Sequence, residues 1–142
     1  MASRDEVDTA VQKAFEAVVA VLHARARIDV VLLVGSYARG EQKPSSDIDF
    51  VILSPDTKEL IARHEWTEIV GPARKVVLED WGAIQSVRVF YDQCEIEYGL
   101  GDPSWLALPL DAGTESVLRD GYRVLYDRKA VMPNVAAFLD QG

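Results

Sequence analysis

The segment VVLLVGSYARGEQKPSSDIDFVILS, residues 30–54, decides the fold of this 142-residue chain. A β-branched apolar run ends at Gly35-Ser36, and a second apolar run extends to Leu53 from a pair of alternating aspartates, Asp47 and Asp49. Short apolar runs bounded by turn residues are typical of buried strands. The segment therefore predicts two strands of one sheet, with polar groups where the first strand ends and the second begins.

The two aspartates are expected to act together. Side chains at i and i+2 of a strand project from the same face, about 7 Å apart along the strand. Asp47 and Asp49 therefore face one spot, and two neighbouring anions are unfavourable there unless a cation neutralises them. Because carboxylate oxygens are ligands that Mg²⁺ prefers, we expect a divalent metal ion at this position.

The Gly-Ser turn predicts an anion site opposite the aspartates. Ser36 is a suitable N-cap for a short helix or turn through Gly40, and exposed N–H groups at a helix start bind anions. A triphosphate is the ligand expected there. Arg39 lies one turn further on and is a candidate phosphate contact, although Glu41 and Asp47 are alternative partners for its guanidinium group.

Gly35, Ser36, Asp47 and Asp49 together resemble the signature of the nucleotidyltransferase superfamily, the DNA polymerase beta-like enzymes. That signature is a Gly-Ser turn, a gap of about ten residues and an Asp-x-Asp pair; here the gap is residues 37–46. The stretch GSYARGE is similar to the family's usual G-S-x-A-R-G-x. The resemblance implies a nucleotidyltransferase fold.

The resemblance also implies the site's chemistry. In this family the two aspartates hold two Mg²⁺ ions, and a third acidic residue on a later strand completes the site. The stretch EIEYG, residues 95–99, is the best match for that strand. We assign Glu97 as the third acidic residue, with Glu95, on the same strand face, as the reserve.

The activity implied is transfer of a nucleoside monophosphate from an NTP, with ATP expected, to a hydroxyl or phosphate of a small-molecule or protein acceptor, releasing pyrophosphate. Gly35 and Ser36 would hold the terminal phosphates. The order of segments resembles a bacterial subfamily of small, stand-alone nucleotidyltransferase-domain proteins. Two alternatives stay open: an antitoxin-like minimal nucleotidyltransferase that modifies or masks a partner toxin, and a catalytically silent nucleotide-binding module.

Other site classes fit these residues less well. Gly35 to Gly40 has the glycine spacing of a Walker loop, but Glu41 and Gln42 replace the required Lys and Ser/Thr. A calcium loop needs further oxygen ligands where the chain has apolar Val51 and Ile52. An Asp-x-Asp pair alone also occurs at solvated strand edges; only the combined motif favours catalysis.

The composition of the chain limits the classes of partner that it is expected to bind. A formal net charge of −8 argues against a nucleic-acid groove, which draws on clustered Lys and Arg. A single cysteine, Cys94, cannot form an internal disulfide, and no apolar run approaches the length of a membrane span. We expect one domain over residues 1–142 in the cytoplasm, with a second copy or another protein as candidates to complete an open cleft.

The hydrophobic pattern predicts an α/β chain, with a mixed sheet flanked by helices. Apolar residues at helical spacing predict a first helix to about Arg25. The two histidines and three tryptophans are interpreted as surface or packing residues rather than catalytic groups. The other predicted elements are strands at 28–34, 75–79, 84–91, 94–100 and 122–126, and helices at 55–69, 114–119 and 134–139.

Overall fold

The computed structural model describes residues 4–41, 47–92 and 94–141. Within them the helices are α1 (Arg4–Arg25), α2 (Ser36–Arg39), α3 (Thr57–Ala62), α4 (Ala112–Arg119) and α5 (Met132–Asp140). The strands are β1 (Val30–Val34), β2 (Ile48–Leu53), β3 (Ala73–Asp80), β4 (Ile84–Tyr91), β5 (Glu95–Gly101) and β6 (Tyr122–Asp127). Two 3₁₀ turns, Glu65–Ile69 and Pro103–Leu106, complete the described elements.

The described strands form one sheet of order β3-β4-β5-β2-β1-β6. The β2–β5 pair is parallel and the other neighbouring pairs are antiparallel. The predicted mixed sheet flanked by helices is therefore confirmed. The parallel pairing has a direct consequence for the site, because it sets Asp49 beside Glu97 in register.

The sheet has two faces that pack against different helices. One face packs on α1, α3 and the first 3₁₀ turn, and its central side chains are almost fully buried. They include Val31, Leu33, Phe50, Ile52, Val87, Val89, Ile96, Tyr98 and Leu100. The alternate residues form a smaller core with α4, α5 and the second 3₁₀ turn; they include Val30, Leu32, Val51 and Leu53. This alternation follows from the strand period of two residues.

The predicted helix over residues 55–69 is wrong in its second half. The α-helix ends at Ala62, the backbone of Arg63 leaves the helical region, and the next segment is a 3₁₀ turn. Trp66 explains the break, because it lies buried against Tyr98 and its indole N–H donates to the Leu60 carbonyl. Tertiary packing of one aromatic ring therefore overrides the local helical pattern.

No helix among the described residues is long and apolar enough to cross a bilayer.

Candidate active site

The turn after β1 differs from its prediction in one respect. Gly35, rather than Ser36, occupies the N-cap position, and Ser36 is the first residue of the four-residue helix α2. Gly35 has a φ of 75°, where side chains are disfavoured, and a Cβ atom there would lie 2.7 Å from Asp49 Oδ2. Glycine is therefore required for the turn to lie directly against the Asp49 carboxyl group.

The structure brings the predicted acidic residues together. Asp49 and Glu97 are cross-strand neighbours on β2 and β5, and the nearby Glu97 carboxyl group raises the pKa of Asp49. Asp47, just before β2, similarly lies near Glu95 on β5 and raises its pKa. Glu95 and Glu97 project from the same face of β5, as the sequence predicts. Residues from two adjacent strands thus converge opposite the Gly35 turn.

Asp49 has the most perturbed environment of these groups. Burial raises its pKa to about 7, and its hydrogen bond to Glu97 and the negative charges of Glu97 and Asp47 act in the same direction. The Oδ1 atom of Asp49 is buried without a hydrogen-bond partner. A buried, unpartnered carboxylate oxygen is costly unless a ligand or proton satisfies it.

Arg88 was not singled out in the sequence, yet it lies in the middle of this cluster. It stands on β4 directly opposite Glu97 and makes ion pairs with Asp47, Glu79, Glu95 and Glu97. Its hydrogen bond to Glu79 is the largest of several effects that raise its pKa. The alternation of IQSVRVFY places a lone Arg on one face of β4 with Ile84 and Ser86, which is the only signal that the sequence offered.

Arg39 is not brought to the acidic cluster by any of its described contacts. Its guanidinium group lies 3.5 Å from Glu41, one of the partners predicted as an alternative to phosphate. Its aliphatic stem packs where Gly121, before β6, leaves space: a Cβ on Gly121 would lie 2.9 Å from Arg39 Cγ. Tyr37 of the same helix is buried in the larger core.

A cleft of about 480 Å³ adjoins the carboxyl groups on the second sheet face. Gly99 of β5 lies in its floor, and Trp81 and Trp105 contribute aromatic walls. Its lining among the described residues contains acidic groups, Asp49, Glu97 and Asp111, and no Lys, Arg or His. Without a metal ion to neutralise these groups, the cleft therefore suits a neutral or cationic molecule of small size better than a polyanion.

The carboxyl groups of this cluster fit a divalent metal in their chemistry but not in their present arrangement. Within residues 4–41, 47–92 and 94–141, no three acidic, His or Cys side chains form a ready coordination shell. One oxygen each of Asp47 and Glu97 is instead directed to Arg88. The donors are nevertheless hard carboxylate oxygens, and Asp49 Oδ1 is buried and unpartnered. Asp47, Asp49 and Glu97, with Glu95 alongside, thus have the chemistry to hold such an ion after side-chain rotation.

A family model described as a nucleotidyltransferase domain matches residues 15–90, more than half of the chain. The match includes the Gly-Ser turn, both aspartates and Arg88, and ends before Glu95 and Glu97. No curated protein is similar enough in sequence to match.

Several solved structures are similar to this chain at low sequence identity. The polymerase core of TRAMP, an RNA surveillance complex, is 20% identical with a TM-score of 0.50, over 70% of this chain and 32% of that one. A cytoplasmic RNA terminal U-transferase is 15% identical with a TM-score of 0.48, over 69% and 32% of the two chains. A toxin-antitoxin protein crystallised with AMP-PNP is 17% identical with a TM-score of 0.45, over 89% and 81%. The chain spans about a third of the length of the two RNA-modifying relatives.

Proposed function

The chain belongs to the nucleotidyltransferase domain family, and from that premise we propose that it is a metal-dependent enzyme that transfers a nucleoside monophosphate from an NTP, with ATP expected, to a small-molecule or protein acceptor. One observation carries the proposal. Asp49 and Glu97 meet across the parallel β2–β5 pair, and a buried oxygen of Asp49 has no partner beside the Gly35 turn.

The site residues have distinct parts in this proposal. Asp47, Asp49 and Glu97 would hold two Mg²⁺ ions, which when bound neutralise negative charge on the phosphates as the phosphoryl group is transferred. Gly35 and Ser36 would position the terminal phosphates through the turn. Arg39 is a proposed phosphate contact that would have to exchange Glu41 for the nucleotide.

The bond changes follow from the proposed substrates. An acceptor oxygen forms a bond to the α-phosphorus, and the bond from that phosphorus to the bridging oxygen of the β-phosphate breaks. Pyrophosphate leaves with the bonding electron pair, and Glu97 accepts the proton of an acceptor hydroxyl. The contribution of the chain is mainly positioning and electrostatics.

The charge, lining and volume of the cleft support a proposal for the class of acceptor. It is acidic, aromatic and about 480 Å³ in volume, so we propose that the acceptor is a small molecule, or a single side chain of a protein, rather than a nucleic acid. The net charge of −8 favours the same choice. The activity on RNA that the names of the larger relatives indicate is not proposed for this chain.

The test is transfer of label from ATP, GTP or CTP carrying it at the α-phosphate, with Mg²⁺, across small-molecule and protein acceptors. We expect labelled acceptor and released pyrophosphate from the wild type, and a loss of roughly a thousandfold or more in Asp49→Asn because one metal ligand loses its charge. Asp92→Asn is the matched control, since Asp92 is 75% exposed and pairs only weakly with Arg74. Wild-type rates in Asp49→Asn would contradict the proposal.

A further inference from the structure

A single arginine contacts four carboxylates at the centre of the acidic cluster. Arg88 Nε lies 2.7 Å from Glu79 Oε1, and Nη1 lies 3.1 Å from Asp47 Oδ2 and 3.0 Å from Glu95 Oε2. Nη2 lies 3.2 Å from Glu97 Oε2. The four partners come from β3, β5 and the residue just before β2, so the guanidinium group of β4 links side chains across four consecutive strands of the sheet.

The sheet fixes the position of Arg88, whose side chain is not freely exposed at the surface. Arg88 is directly opposite Glu97 in the β4–β5 register, and its side chain is 22% exposed. A partly buried guanidinium group with its N–H donors shared among carboxylates is held more firmly than an exposed ion pair. Its positive charge therefore stays within the acidic cluster.

The contacts of Arg88 divide the acidic residues into two sets. Asp47 and Glu97, two of the three proposed metal ligands, each give one oxygen to Arg88. Asp49 is not among its ion-pair partners and retains the buried, unpartnered Oδ1. A divalent ion that gathers all three ligands must therefore draw oxygens away from the guanidinium group.

We propose that Arg88 is an internal counter-ion that competes with divalent metal for Asp47 and Glu97. The inference rests on the proposed function. In the metal-free protein, Arg88 neutralises carboxylates that would otherwise repel each other. When metal binds, Asp47 and Glu97 turn toward it and Arg88 keeps its contacts with Glu79 and Glu95.

The change in metal affinity on loss of Arg88 distinguishes this role from a purely structural one. If Arg88 only held the strands together, its loss would destabilise the metal-free and metal-bound forms equally and leave metal affinity unchanged. If it preorganised the ligands, its loss would weaken metal binding. Competition predicts the opposite: removing the positive charge leaves the ligands free, so metal binds more tightly while the metal-free fold becomes less stable.

The test compares Arg88→Met with the wild type by Mn²⁺ titration calorimetry without nucleotide, and by thermal unfolding with and without Mn²⁺. We expect about tenfold tighter Mn²⁺ binding in the variant, since one unit charge near the ions is removed, and a fall in unfolding temperature that is larger without Mn²⁺ than with it. Arg74→Met is the matched control, because it removes the same charge from a side chain that is 72% exposed on β3. It should leave the Mn²⁺ affinity unchanged.

Arg88→Lys covers the case in which Arg88→Met does not fold without metal. Lysine keeps the charge but lacks the planar fork that serves four carboxylates, so we expect Mn²⁺ affinity above that of the wild type and below that of Arg88→Met. Folding of Arg88→Met on addition of Mn²⁺ also supports competition. Unchanged or weaker Mn²⁺ binding in both variants overturns the inference alone, whereas absence of Mn²⁺ binding in the wild type as well overturns the proposed metal site with it.

Discussion

Glu97 and Tyr98 are consecutive residues of β5, but the two faces of the sheet that they occupy differ in how their groups are satisfied. Tyr98 is fully buried, stacks on Phe50 and hydrogen bonds to Tyr91. Glu97 lies among carboxyl groups, next to an Asp49 oxygen that has no partner. Among the described residues, no buried polar side-chain atom on the covered face, which packs on α1 and α3, lacks a partner, whereas the open face, which carries the cleft, has the unpartnered Oδ1 of Asp49. This difference supports our proposal that the covered face supplies mainly stability and the open face the chemistry.

The largest expected effect is on the covered face. Trp66→Ala removes a side chain that is 2% exposed, packs edge-on against Tyr98 and donates to the Leu60 carbonyl. We expect a loss of about 3–5 kcal/mol in the free energy of unfolding, measured by denaturant titration. Transfer activity per folded molecule should be unchanged. A variant of wild-type stability would show that this face does not carry the fold.

Gly35→Ala tests the contact between the turn and Asp49. A side chain at a φ of 75° costs about 1–3 kcal/mol, and the new Cβ would meet Asp49 Oδ2 at 2.7 Å. We therefore expect both a lower unfolding free energy and a loss of transfer activity, because Asp49 must move.

Gly113→Ala is the stability control for Gly35→Ala. Its Cβ would make an ordinary contact at 3.5 Å, within helix α4. We expect unfolding measurements to show little change in this variant. Equal activity of Gly35→Ala and the wild type would refute the role of close packing at the turn.

Sequence reasoning was most effective where the site is local. Gly35, Asp47 and Asp49 lie within fifteen positions, so turn chemistry and strand alternation sufficed to relate them. Glu97 followed from the resemblance together with its apolar neighbours, and the structure places it beside Asp49. Arg88 was missed because its role depends on the cross-strand register of three strands, which alternation within one strand does not specify.

A smaller effect concerns pH and the metal-free protein. The pKa of Asp49 is about 7 in the fold against 3.8 for an unperturbed group. Between these values the folded state binds the proton and the unfolded state releases it, so stability falls as pH rises from about 4 to about 7 and then levels. Because the Asp49 carboxyl group is not fully buried, solvent screening reduces the size of this pH effect on stability.

Asp49→Asn should remove this contribution, so thermal unfolding of the variant without metal should depend less on pH over that interval. Wild-type Mn²⁺ affinity should rise with pH up to about 7, since metal binding requires the deprotonated carboxylate. Identical pH profiles for the two proteins would contradict the pKa assigned to Asp49.

The smallest effect returns to the covered face. Tyr91 donates its hydroxyl proton to the Thr67 carbonyl, so Tyr98 donates to Tyr91. Tyr98→Phe removes one hydrogen bond and leaves Tyr91 with its other partner. We expect a loss of about 1 kcal/mol in unfolding free energy, by the same denaturant titration, and unchanged activity. A loss of activity in Tyr98→Phe would show that the covered face also affects the catalytic site, contrary to our inference.

The most direct measurement is anomalous diffraction from crystals grown with Mn²⁺ and a non-hydrolysable ATP analogue. We expect a manganese peak in contact with Asp47, Asp49 and Glu97, with the analogue's phosphates against Gly35 and Ser36. A peak elsewhere, or nucleotide bound away from these residues while Asp49 Oδ1 stays unpartnered, would contradict the assignment of the open face as the catalytic site.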